Sequence, residues 1–124
     1  MGFTSKKEFL RTKRLILRLK WKYETSVSFE IFRKISDISP IGEISYFFTT
    51  GEVVYIILPE YAGAGYATEA LQGFSDFLKL QDTNKVLFLR IRRGNIASKK
   101  VAEKCGFVKV ENMSKGMYDM YEKR

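Results

Sequence analysis

Residues 58–71 read Leu-Pro-Glu-Tyr-Ala-Gly-Ala-Gly-Tyr-Ala-Thr-Glu-Ala-Leu, and no other stretch restricts the fold of this chain as tightly. An apolar, β-rich run over 53–58 passes through Pro59 into a glycine pair, Gly63 and Gly65, and a helical pattern starts at once. A strand that enters a helix through glycines builds an anion site. The glycines let the backbone approach a ligand, and the first helical N–H groups have no partner within the helix. The loop carries no lysine, so it is not the P-loop of nucleotide-triphosphate binders. It has no third glycine at dinucleotide spacing, and no strand–helix repeat surrounds it. Alone, it fits either a site for a phosphorylated ligand or a helix entered through a plain glycine turn.

The hydrophobic period changes at this loop. Upstream it is two. Residues 14–20 place Leu15, Leu17 and Leu19 on one face, and 27–34 alternate in the same way from Val27. Residues 41–48 and 52–58 predict two more strands, joined by the tight turn Thr49-Thr50-Gly51. Every connection is too short for a crossover helix, so the four strands predict an antiparallel meander. Residues 1–12 are polar and predict a flexible arm. Downstream, Ala67, Ala70, Leu71, Phe74, Phe77 and Leu78 recur at helical spacing, predicting a helix over 65–80. Residues 86–91 are apolar apart from Arg90, as in a strand covered on both faces. Asn95 is placed to cap a second helix and Gly106 to stop it, with a strand pair at 107–110 and 117–121. The order predicts an α/β sandwich with a mixed sheet, in one domain over residues 1–124.

Composition removes several functions. The chain has no histidine and one cysteine, Cys105. A Ser–His or Cys–His triad is therefore impossible, and no transition-metal site is expected. A single cysteine forms no internal disulfide and fits a reducing, cytoplasmic setting. No apolar run reaches the roughly 18 residues of a membrane span, and the N-terminus has no signal-peptide pattern. The formal charge of +8, from 22 basic and 14 acidic residues, attracts polyanions. The basic residues are scattered rather than gathered in a tail, which weakens a nucleic-acid reading.

The sequence Asn95-Ile-Ala-Ser98-Lys-Lys-Val-Ala-Glu-Lys104-Cys-Gly106-Phe107 is a second motif. Asn95 and Ser98 stand at i and i+3, on one side of the first helical turn. Asn95 can cap the helix and still show its amide to a ligand, and Ser98 brings a hydroxyl to the same place; either alone is more simply a capping residue. In this order, the two motifs resemble the GNAT superfamily of acyl-CoA-dependent N-acetyltransferases over about residues 13–123. The likeness is greatest to the branch that acetylates the N-termini of ribosomal proteins. Arg14-Leu-Ile-Leu-Arg18 resembles that branch's first strand, and Ile41-Gly-Glu-Ile44 its third. Residues 59–70 resemble its pyrophosphate loop, and Asn95-x-x-Ser98 with Glu-Lys-x-Gly-Phe107 its second cofactor segment.

The resemblance implies a GNAT-like sandwich, derived from three α/β/α layers, whose central sheet splays between 52–58 and 86–91. It implies acetyl-CoA as donor, with the pantetheine arm in that gap. The cofactor would meet Leu58, Ala62, Gly63, Ala64, Gly65, Tyr66, Ala67 and Thr68, then Asn95 and Ser98. Lys99, Lys104, Arg92 and Arg93 would attract its phosphates. It implies an amine acceptor, a small molecule or a protein N-terminus, attacking the thioester directly. Many relatives use as acid a tyrosine four residues after the motif serine, but that position is Ala102. In the ribosomal-protein branch the motif serine takes the role, which transfers to Ser98. Glu52 is the first candidate base and Glu43 the second, each equally readable as an exposed strand carboxylate. Tyr118 and Tyr121 are candidates for the thiol end, and Cys105 reads as packing.

Two features depart from the family. Glu60 stands where its loop often has Gln or Arg. The family also carries two helices between its first two strands, whereas residues 20–27 leave room only for a turn. The acceptor side is thus expected to lack a wall and to expose apolar surface, with Trp21, Phe29, Phe32, Tyr46 and Phe48 as candidates. A homodimer covering that surface is the expected partner arrangement, with no membrane and no nucleic acid. The competing reading is a non-catalytic CoA-binding or interaction module.

Overall fold

The computed structural model describes residues 8–124. Strands β1 (Glu8–Arg11), β2 (Leu15–Lys22), β3 (Ser26–Arg33), β4 (Gly42–Phe47) and β5 (Val53–Ile57) form an antiparallel sheet in chain order. Then come helix α1 (Tyr66–Gln81), β6 (Leu87–Arg92), helix α2 (Ile96–Lys104), β7 (Val108–Lys115) and β8 (Tyr118–Lys123). The last three strands form a second sheet in the order β6-β8-β7. The expected meander is therefore present with one strand more. Glu8–Arg11 pairs with β2 rather than continuing the arm expected over 1–12, and residues 1–7 lie outside the described residues. Aromatic packing holds that short strand: the Phe9 ring centroid lies 4.2 Å from that of Phe29 and 4.4 Å from that of Phe77.

Between β5 and β6 a single parallel bridge joins Glu52 to Phe88. The amide of Phe88 donates to the carbonyl of Gly51 at 2.9 Å, so the tip of the β4–β5 hairpin is also where the sheets meet. Gly51 holds φ at +77°, and a Cβ there would stand 2.7 Å from the Val86 carbonyl oxygen. Beyond this apex the strands part, giving the mixed, splayed sheet.

One core fills the space between the sheets and both helices. Leu15, Leu17, Phe29, Ile31 and Ile44 come from the first sheet, and Leu87, Leu89 and Tyr121 from the second. They meet Ala70, Leu71, Phe74 and Leu78 of α1 and Ala102 of α2. All these strand residues share one face by alternation and register, so both helices lie on that face. Two layers of the three remain among the described residues. Among the described residues no helix covers the other face, although Ile16, Ser28 and Phe32 on it are buried by their neighbours, and this corrects the expectation for β6: Leu87, Leu89 and Ile91 are buried, while Arg90 and Arg92 are exposed. It also corrects the expected apolar patch. Phe29 and Tyr46 are buried on the helix face, and Phe32 is buried beneath the Arg18 guanidinium. Phe48 is exposed, and Val54 and Ile56 of β5 add 48% and 61% exposed side chains on the bare face.

Candidate active site

After β5, one 3₁₀ turn (Pro59–Tyr61) leads to Gly63 and Gly65, with φ of +82° and +84°. Glycine takes this left-handed region without the Cβ cost that other residues meet. Gly65 is also the N-cap of α1, and having no side chain it leaves the first N–H groups of the helix uncapped. A Cβ on Gly63 would meet nothing within 4 Å, so the approach to the loop is open. Bare amides at a helix N-terminus attract an anion through partial positive charge and direct donation.

Arg14 fixes this loop. Its Nη1 donates to the Ala64 carbonyl at 2.9 Å, and its guanidinium lies 4.4 Å over the Tyr66 ring. Its Nε donates to Glu69 Oε1 at 2.7 Å and its backbone N–H to Glu69 Oε2 at 2.6 Å, where the Thr12 hydroxyl also donates. Burial works to raise the pKa of Glu69. The hydrogen bonds from Thr12 and Arg14 outweigh it and hold the carboxyl below its ordinary range.

A cleft of about 510 Å³ runs from this loop along α2. It is bordered by Ala62, Gly63, Gly65, Tyr66, Ala67 and Thr68 on one side and by Asn95, Ser98, Lys100 and Lys104 on the other. A second hollow, of about 270 Å³, occupies the gap between β5 and β6, with Val54, Arg90, Arg92 and Tyr118 among its walls. The two share Tyr55, Asn95 and Ser98.

At that junction Asn95 caps α2. Its Oδ1 accepts from the Ser98 N–H at 3.1 Å, leaving the amide NH₂ for another acceptor. Tyr55 is a site residue that the sequence reading did not find. Its hydroxyl is buried beside Ser98 yet reaches hydrogen-bond geometry with no protein group. Burial raises its pKa, and contact with Ser98 opposes the rise. Positions 98, 102 and 105 share one face of α2, and the Tyr55 hydroxyl feels both Ser98 and Cys105. Ala102, fully buried, lies between them on that face. Cys105 is packed, with its thiol donating to the Thr68 carbonyl and its pKa pushed up to about 11, chiefly by burial. It is no nucleophile at neutral pH.

Other expected residues lie elsewhere. Lys99 does not line the cleft: its Nζ pairs with Asp119 at 2.9 Å. Arg93 binds the same carboxylate at 3.1 Å, and Lys109 at 3.7 Å. Asp119 is 2% exposed, and Lys99 first, then Lys109 and Arg93, hold its pKa low despite burial. Lys100, one position on, borders the cleft instead. Leu58 is outside it, and Ala64 is occupied with Arg14. Glu52 stands at the apex, 3.5 Å from Arg90 Nε; it lines neither hollow itself and adjoins the gap only through Arg90. Glu43 is on β4, tied to Lys20 and outside both hollows. Tyr118 borders the gap, whereas Tyr121 is core.

Comparison with solved structures returns the same architecture. An acetyltransferase from Agrobacterium tumefaciens matches with a TM-score of 0.80 at 18% identity, over 100% of this chain and 98% of that one. A candidate ribosomal-protein-serine acetyltransferase from Vibrio cholerae matches at 0.73 and 16%, over 92% and 95%. Spermidine N-acetyltransferase from Vibrio cholerae, in complex with CoA and spermine, matches at 0.64 and 19%, over 80% and 64%. No curated protein matches. The family model described as the acetyltransferase (GNAT) domain matches residues 5–108. That span takes in most of the chain, the glycine loop and the Asn95–Ser98 turn, and the chain belongs to the GNAT acetyltransferase family.

Proposed function

We propose that this protein is an acetyl-CoA-dependent N-acetyltransferase that transfers acetyl to an amine by direct attack on the thioester. The observation that carries this reading is the meeting of two hollows at Tyr55, Asn95 and Ser98, in the gap between β5 and β6. The uncapped amides of α1, with Lys100 and Lys104, hold the pyrophosphate of the donor. Each such contact is worth about 0.3–1 kcal/mol when exposed, and several act together. The unpaired edges of β5 and β6 offer backbone groups to the amides of the pantetheine arm, which puts the thioester near Ser98.

The acceptor nitrogen then forms a C–N bond as the C–S bond breaks. Its ammonium proton leaves first, to Glu52 directly or through water. The departing thiolate takes a proton from Ser98, and the second proton, shed by the nitrogen as it becomes an amide, returns to Ser98 through Tyr55 or water, so both hydroxyls end protonated. A positioned acid contributes about 10²–10⁴-fold. The test is acceptor-dependent release of CoA with peptide N-termini and small amines. Turnover that falls about 10²-fold or more in Ser98→Ala, with acetyl-CoA binding retained, supports the assignment. An unchanged rate rejects it.

A protein N-terminal amine suits the bare sheet face, which a folded acceptor could approach. A second copy seated on Ile56, at one side of the strand gap, is our proposed homodimer contact and would form a wall of the acceptor site. The lone, packed thiol suits a reducing cytoplasmic setting. The competing reading is a non-catalytic CoA-binding module, favoured by the absence of a covering layer over the acceptor side among the described residues. Calorimetry separates the two: tight acetyl-CoA binding without turnover of any acceptor selects the module.

A further inference from the structure

We propose that the acceptor carries a negatively charged group close to its reacting amine, and that Arg90 and Arg92 bind it. The proposal rests on the acetyl-transfer reading of the gap. Arg90 and Arg92 stand two residues apart on β6, both pointing to the bare face. Both guanidiniums lie over one ring, that of Tyr118, at 5.8 and 5.4 Å. Two cations this close on one strand face repel each other and ask for an anion between them. The protein provides little: Glu52 stands 3.5 Å from Arg90 Nε, and among the described residues no carboxylate pairs with Arg92. Three other basic groups near α2 are treated differently, since Asp119 holds Lys99, Arg93 and Lys109 together.

The pair is also surplus to the donor. The pyrophosphate has its own cradle in the other cleft, with Lys100 and Lys104 beside it. Arg90 and Arg92 border the hollow in the strand gap, where the acceptor must reach the thioester; Arg92 also reaches an open hollow beside Gly94 and Asn95, and neither arginine borders the pyrophosphate cleft. An amine entering there has two arginines alongside, with Glu52 behind Arg90 at the apex. A carboxylate one or two residues from the amine satisfies both, as in an acidic peptide N-terminus. A polyamine would set cations against cations. The surplus of +8 over the whole chain steers the same class of partner toward the protein.

The test uses three tetrapeptide amides with free N-termini, Ser-Asp-Asp-Ala, Ser-Ala-Ala-Ala and Ser-Lys-Lys-Ala, with acetyl-CoA as donor. The acidic peptide is expected to exceed the basic one in kcat/KM by roughly tenfold or more. The double variant Arg90→Ala with Arg92→Ala should bring the acidic peptide down to the neutral one, with the acetyl-CoA Kd unchanged. Arg92→Lys should keep much of the preference. Equal use of acidic and basic peptides by the native protein overturns the proposal, as does a preference that survives the double variant. Calorimetry of the acidic peptide against CoA-loaded protein gives a readout free of chemistry. Arginine-dependent, salt-sensitive binding supports the site even if nothing is turned over, which would count against the catalytic reading alone. Absence of binding at millimolar peptide together with absence of preference overturns the site itself.

Discussion

At the scale of single residues, the proposed chemistry uses two hydroxyls contributed by different elements. Tyr55→Phe removes one oxygen that lies beside Ser98 without a full hydrogen bond, so the fold should lose little. It is expected to lower kcat with little change in KM, and Tyr55→Phe combined with Ser98→Ala to cost less than the two losses multiplied, because both act on one proton. Steady-state kinetics on the four proteins checks this. Ser98 was legible in the sequence because it stands three residues from a capping Asn95. Tyr55 was not, because alternation on β5 tells which face it occupies and says nothing of a helix more than forty residues away. Lys99 and Lys100 show the same limit. They are neighbours in sequence, about 100° apart around the helix, and only the position of Asp119 on β8 decides which lysine is taken.

At the scale of elements, the glycine loop is a strap tied to β2. Glu69 is lowered in pKa in the folded state, so its contribution to stability is present above its unfolded value and is lost as pH falls through the folded one. Asp119 behaves in the same sense at the α2–β8 contact. Thermal melts between pH 7 and pH 3 should therefore show stability falling below about pH 4, near the unfolded carboxylate values. Glu69→Gln should lose about 1–3 kcal/mol at pH 7 and show a shallower acid dependence. Its affinity for acetyl-CoA should fall too, because Arg14 then loses its anchor. The hairpin apex gives a second prediction. Gly51→Ala combines a left-handed φ with a Cβ 2.7 Å from the Val86 oxygen, and should cost about 1–2 kcal/mol in conformation before the clash is counted. Most elements could be read from period and turn residues alone. Glu8–Arg11 could not, because four residues with charged ends carry no period, and their strand exists only through β2 and the ring of Phe29.

At the scale of the whole molecule, the described residues put two helices on one side of eight strands and no helix on the other. If a second copy covers Ile56, Ile56→Lys should yield a monomer by light scattering, with the fold unchanged by circular dichroism. A native protein that is already monomeric at micromolar concentration would overturn the dimer. The two-layer plan was partly legible, since the short connection over residues 20–27 left no room for the missing helices. Which aromatic side chains would be left uncovered was not, because Phe29 and Tyr46 turn to the helices and Phe32 is sheltered by Arg18. The strand gap has one more consequence, for handling the protein. Past the Glu52–Phe88 bridge, β5 and β6 turn unpaired backbone groups toward each other, so the molecule carries two raw strand edges in its middle as well as the two at its rims. Such edges recruit extended peptide from other chains, and among the described residues no element shields them on the face away from the helices. The empty protein is therefore expected to clump on concentration, and CoA, by lying in the slot like a missing strand, to keep it dispersed.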